Sequence, residues 1–179
     1  MFSATLTYDV EQLILTYFSN TIKIEAAPSG TPLEKIILQG YKVPNFNTKI
    51  NVLAYLLKKE EFKKTLIFTR TKALADQVFE KLNLLFPNQI GIIHSNKEQN
   101  YRFKSVEDFK QGITIALIAT DIIARGIDIE GVSHVINFDI PDLPELYIHR
   151  IGRTGRADKD GIAISFITEK DEPLHDEIE

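Results

Sequence analysis

"ITIALIAT", residues 113–120, is apolar at nearly every position and stops at a threonine. A strand with one wet face would alternate apolar with polar residues. This one does not, so it reads as a strand buried on both faces, as in a parallel sheet. The same kind of run recurs on either side: "KTLIFT" (64–69), "IGIIHS" (90–95), "HVINFDIP" (134–141) and "GIAISFIT" (161–168). Helical patterns lie between several of them. "TKALADQVFEKLNLLF" (71–86) sets Leu74, Val78, Leu82 and Leu85 on one face and is broken by Pro87-Asn88. "KEQNYRFKSVEDFKQG" (97–112) carries Phe103, Val106 and Phe109 at helical spacing, with Gly112 as a stop. Upstream, "FNTKINVLAYLLKKEEF" (46–62) is an amphipathic helix through Ile50, Leu53, Leu56 and Leu57. "IKIEAA" and "KIILQGYKV" read as strands, with "PSGTP" (28–32) as a turn or linker between them. The acidic "EKDEPLHDEIE" reads as the start of a final helix, and its "DEPLHDE" as a solvated face. Alternating strands and helices with right-handed crossovers give an α/β fold: a doubly wound, mainly parallel sheet with helices on both faces.

Composition narrows the classes of function. The 179 residues suit one domain of ordinary size, and 44% hydrophobic residues suffice for a core. With 21 basic and 25 acidic residues the net charge is −4, which argues against a globally basic nucleic-acid binder but leaves room for local basic clusters. There are no cysteines, hence no disulfide framework, thiolate zinc site or thiol nucleophile. His94, His134, His149 and His175 are scattered without metal-ligand spacing. No signal peptide is visible, and no apolar run approaches the roughly 18 residues that span a membrane. A cytoplasmic protein is the expectation.

Two stretches carry chemistry. "HRIGRTGR" (149–156) places Arg150, Arg153 and Arg156 three apart, with Gly152 and Gly155 between them. Three permanent cations so close repel one another unless an anion meets them. Arginine forks grip phosphate oxygens in pairs, and glycines let the backbone approach a ligand. A solvated basic turn is the other reading. In "ATDIIARGIDIEG" (119–131), Asp128 is suited to accept from ribose hydroxyls, and Thr120 with nearby backbone amides to bind phosphate. The alternative makes Asp121 a helix cap and Asp128 a turn residue. Thr69, Ser95, Thr120 and Asp139 fall at or near strand ends, where open α/β sheets bind ligands, although polar residues also simply end strands. No P-loop is present: "GIDIEGVS" has two glycines at the right spacing but Val132 where the lysine belongs.

Together these residues resemble the C-terminal RecA-like domain of DEAD-box RNA helicases. "HRIGRTGR" is similar to the family's motif VI, "ATDIIARGIDI" to motif V, and "LIFTRTK" (66–72) to motif IV. Gln99 with Arg102 resembles the Q-x-x-R element, and Ser3-Ala4-Thr5 resembles motif III. The motifs stand in the family's order over nearly the whole chain. One departure is His94-Ser95-Asn96, where the family usually has His-Gly-Asp.

The resemblance implies residues 1–31 as the end of motif III with an interdomain linker and leading strand, and residues 32–179 as the RecA-like domain. It implies Arg153 and Arg156 as arginine fingers on ATP held by another domain. Gly126 and Asp128 would lie on the ribose side of the nucleotide. Thr120, Arg102 and Ser95 would contact the RNA sugar-phosphate backbone. Ser3 and Thr5 would couple nucleotide state to domain closure, and His149 and Arg150 would tie motif VI to neighbouring motifs and to the N-terminal RecA-like domain. ATP with Mg2+ would be bound mainly by that domain. The parent protein would be a monomeric ATP-dependent RNA helicase with no membrane contact, and this chain alone would hydrolyse no ATP. The alternatives are a DNA helicase of the same superfamily and a non-catalytic RNA-binding module.

Overall fold

The computed structural model describes residues 35–121, 129, 132–155 and 160–176. Ser3, Thr5, Gly126, Asp128 and Arg156 lie outside the described residues, as do the "IKIEAA" and "PSGTP" stretches.

Among the described residues six strands form one sheet: β1 (Ile36–Lys42), β2 (Thr65–Thr69), β3 (Ile90–Ile93), β4 (Ala116–Thr120), β5 (His134–Asn137) and β6 (Gly161–Ile167). Their order is β1-β6-β5-β2-β4-β3, and every pairing is parallel. The described helices are α1 (Phe46–Leu57), α2 (Lys72–Leu85), α3 (Gln99–Lys110), α4 (Pro144–Ile151) and α5 (Glu172–Asp176). Doubly wound α/β is therefore the architecture, as the apolar runs require.

Adjacent residues on each strand feed two separate cores. Ile67, Ile118, Ile136 and Ile164 pack with Leu53 of α1 and Val78 and Leu82 of α2. Leu66, Phe68, Leu117, Val135 and Ala163 pack with Val106 and Phe109 of α3 and Tyr147 and Ile151 of α4. Side chains alternate across a strand, so a run buried on both faces must be apolar throughout. Crossovers that advance toward β3 (through α1 and α2) cover one face. Those that return toward β1 (through α3 and α4) cover the other, as right-handed connections demand.

Local chemistry sets the helix ends. Asn45 accepts the Thr48 N–H at 3.0 Å and starts α1, and Thr71 accepts the Leu74 N–H at 3.1 Å and starts α2. α3 stops at Gly112, whose φ of 75° lets its N–H reach the Phe109 carbonyl and the Ile113 N–H reach Asp108.

Two expected core positions are corrected. Leu85 is 55% exposed because it is the last residue of α2, and Phe86 after it turns inward to take the buried place. Phe103 is 64% exposed. It and Phe109 lie about 120° apart around the helix, on either side of Val106, so only one can face the sheet. α3 buries Ser105, Val106 and Phe109.

Candidate functional site

β2 and β5 are neighbours, yet the helices that follow them, α2 and α4, lie on opposite faces. Such a divergence opens a crevice at the carboxyl ends of the two strands. The guanidinium of Arg150 fills it. Arg150 is 1% exposed and lies over the Phe68 ring of β2, 5.3 Å from its centroid. Nε and Nη2 donate to the two Asp121 oxygens beyond β4, at 2.6 and 2.8 Å. Nη1 donates to the Asp139 carbonyl at 2.8 Å and to Asn137 Oδ1 at 3.3 Å. Asn137 in turn donates to Ser165 at 3.3 Å, and Tyr147 of α4 meets the same hydroxyl at 3.1 Å. A buried cation with every arm paired is tolerable where an unpaired one is not.

Arg150 is thus spent inside the domain, tying α4 to the end of β4. Arg153 stands elsewhere. It lies half-buried on the turn after α4, with its N–H on the Arg150 carbonyl at 3.1 Å. This turn is fixed from below. Thr154 is fully buried, and its hydroxyl bonds the Val132 and Ser133 carbonyls at 2.7 and 3.0 Å. Gly155 has φ of 68°, a conformation open to glycine. Gly161 runs alongside so closely that a Cβ there would meet Gly155 N at 2.4 Å and Thr154 Oγ1 at 2.6 Å. Gly161→Ala is therefore expected to lower stability by about 1–3 kcal/mol, read by urea unfolding. A change below about 0.3 kcal/mol would show that the turn is not held as described. His149, on α4, is half-buried, and its Nδ1 is buried without a hydrogen-bond partner.

The positions expected to meet RNA sit toward the other side of the sheet. Ser95 is exposed in the turn after β3, and Thr120 is buried at the end of adjacent β4. Arg102 belongs to the first turn of α3, with a buried Nε that lacks a partner. Ser95 is displayed by its neighbour. His94, 1% exposed, accepts the Asn96 N–H at Nδ1 (3.3 Å), which leaves Nε2 to donate to Asp76 at 3.1 Å. Burial pushes the Asp76 carboxyl up, but hydrogen bonds from Lys97 and His94 outweigh it and hold the group below its ordinary value.

A second charged cluster was not legible as one. Arg70, Asp139, Lys49 and Asp171 meet around the segment that follows β5. Asp171 corrects the reading of "DEPLHDE" as a solvated face, since it is 8% exposed. Its oxygens accept from Thr168 N (3.1 Å), Thr168 Oγ1 (2.7 Å) and Lys49 Nζ (3.4 Å). Burial alone would raise its pKa, but these bonds and the Lys49 charge lower it from 3.8. A lowered carboxylate contributes stability above its ordinary pKa that is lost as pH falls through the folded value. Asp171→Asn is therefore expected to be less stable than the parent sequence at about pH 6, with the gap closing below about pH 4. Urea melts across that range check it, and a gap independent of pH contradicts it. Asp139 moves the other way: burial raises it, against the Arg70 N–H bonds and the charges of Arg150, Arg70 and Lys49. The one sequence signal for Lys49 was a lysine four residues before Leu53, on the apolar side of α1.

Among the described residues no group of three or more His, Cys, Asp or Glu side chains is placed to hold a metal ion, and no helix is long and apolar enough to cross a membrane.

Residues 48–158 match the family of helicase conserved C-terminal domains. The chain is 37% identical over 174 residues to the DEAD-box ATP-dependent RNA helicase CshA of Bacillus licheniformis, covering 97% of this chain and 35% of that protein. It is 39% identical over 168 residues to RhpA of Helicobacter pylori, covering 94% and 34%. The chain thus spans about a third of the length of these curated relatives. Among solved structures, the C-terminal domain of the DEAD-box protein Dbp5 superposes with a TM-score of 0.72 at 34% identity, covering 82% of this chain and 84% of that one. S. cerevisiae Dbp5 bound to RNA and ADP BeF3 gives 0.79 at 33% identity, covering 98% and 46%.

Proposed function

Because the chain belongs to the helicase conserved C-terminal domain family, as the C-terminal domain of a DEAD-box RNA helicase, we propose that it supplies half of a composite ATPase and RNA-binding site. The other half is an N-terminal RecA-like domain of the same parent, which residues 1–31 would link to residues 32–179. Arg153 and Arg156 serve as the fingers that reach the γ-phosphate of ATP bound by that domain. Gly126 and Asp128 line the ribose side. Thr120, Arg102 and Ser95 hold the sugar-phosphate backbone of RNA. Ser3 and Thr5 couple the two domains, and His149 and Arg150 tie the "HRIGRTGR" stretch to the motifs beside it, Arg150 through Asp121, and by way of them to the other domain.

The observation that carries the reading is the division of labour within "HRIGRTGR". Arg150 is consumed by Asp121, Asn137 and Asp139, while Arg153 stands half-buried on a turn braced by Thr154 and Gly155. A braced backbone at the base of a finger suits charge stabilisation during phosphoryl transfer, since it involves little reorganisation at the moment of reaction. Mg2+ would belong to the partner domain's share, where it would neutralise phosphate charge. Closure of the two domains on ATP and RNA would assemble the site and bend one strand, separating a short duplex. The protein acts as a cytoplasmic monomer.

Likeness to RNA helicases and to an RNA-bound structure favours RNA over DNA. Unwinding of matched RNA and DNA duplexes by the parent tests the choice. ATP-dependent separation of the RNA duplex alone is expected, and equal rates on DNA would refute it. No unwinding with tight RNA binding would favour a non-catalytic module.

A further inference from the structure

The segment joining β5 to α4 is held in an unusual way. Three successive carbonyls each accept from a cation on a different element. Lys49 Nζ of α1 donates to the Phe138 carbonyl at 2.7 Å, Arg150 Nη1 of α4 to Asp139 at 2.8 Å, and Arg70 Nη2 after β2 to Ile140 at 2.7 Å. Arg70 holds the segment at two further points. Its backbone N–H is shared by both Asp139 oxygens, at 2.9 and 3.0 Å, and its Nη1 pairs with Asp142 at 3.0 Å. Asp171 balances the charge, 3.4 Å from both Lys49 and Arg70.

Any neutral N–H would satisfy a buried carbonyl. Charged donors make stronger bonds, and the arginine fork fixes direction as well as distance. The placement gives that strength a use. Residues 138–142 are the covalent route from the sheet to α4, which begins at Pro144 and is only eight residues long. A helix so short acts as a stiff lever about 12 Å long. The start of α4 is thus one of the points that fix the turn that carries Arg153, the Arg150 and Thr154 bonds at its far end being the others.

We infer that Arg70 is a positioning residue for the arginine-bearing helix: its grip on the Ile140 carbonyl and the Asp142 carboxylate sets where α4 starts and hence where Arg153 is presented. Arg70 itself contacts no reacting atom. The inference rests on the finger role proposed for Arg153, and it deepens that role by naming what aims the finger. A finger displaced by about 1 Å loses much of its effect on rate while binding is spared.

The test uses Arg70→Met, which keeps an apolar stem and removes the fork, and Asp142→Asn, an exposed change that leaves the fold intact. Hydrogen exchange on this chain is expected to rise about tenfold at the amides of residues 144–155 in Arg70→Met, and about threefold in Asp142→Asn, with β2 and β4 unchanged. In the full-length parent, kcat for RNA-stimulated ATP hydrolysis is expected to fall about tenfold in Arg70→Met, with KM for ATP and for RNA within about twofold. Arg70→Lys, which keeps the charge but not the fork, should recover only part of the rate. The inference is overturned if exchange at 144–155 is unchanged in both variants, if it rises equally across the sheet, or if kcat holds while those amides loosen. Arg153→Ala run alongside separates the two claims. If that change leaves turnover intact, the finger role fails, and the exchange data alone decide whether Arg70 holds α4.

Discussion

Replacing Arg153 by alanine in the full-length parent is expected to cut RNA-stimulated ATP turnover about a thousandfold, with ATP affinity changed only a few-fold. The expectation follows from where the charge sits. A finger acts on negative charge that develops on the transferring phosphoryl group, so its loss raises the barrier more than it weakens ground-state binding. The turn that carries Arg153 is held by Thr154 and by the close pass of Gly161. The variant's unfolding midpoint is the control for folding. Turnover within threefold of the parent would remove Arg153 from the site. A loss of turnover matched by a lowered midpoint would assign it a structural part instead.

Arg150→Ala is expected to act quite differently, destabilising this chain itself by about 3–5 kcal/mol. It leaves the Asp121 carboxylate, largely buried, without the two bonds at 2.6 and 2.8 Å that compensate it. It also strips a donor from the Asp139 carbonyl and leaves a gap over Phe68. Chemical denaturation of the chain measures the cost. Asp121→Asn in the same background should cost much less than it does alone, because the two side chains act as one unit. A loss below about 1 kcal/mol for Arg150→Ala would show that the pair holds nothing together.

Spacing alone does not separate these two arginines, although the family resemblance implies a finger role for Arg153 and a tying role for Arg150. "HRIGRTGR" displays them as equivalents, three residues apart. The distinction comes from strand order. Asp121 and Asn137 lie 29 and 13 residues upstream of Arg150, and they converge because β4 and β5 flank β2. Lys49 and Asp171 are 122 residues apart and meet only in the fold. The sheet itself was legible, because strands buried on both faces announce themselves as apolar runs such as "LIF" and "ALIA". Helix faces were less so. Phe103 and Leu85 carry the right residue type at plausible spacing, yet one sits off the buried arc and the other at a helix end. The motifs were recognisable by order and spacing, and the comparisons with known helicases agree with that likeness.

As proposed, this chain supplies half of an ATPase site. RNA-stimulated ATP hydrolysis should be measured on this chain alone, on the parent's N-terminal domain alone, and on the two joined in one polypeptide. Turnover is predicted only in the joined protein. Turnover by this chain alone, or by the N-terminal domain alone at the joined rate, would contradict the account.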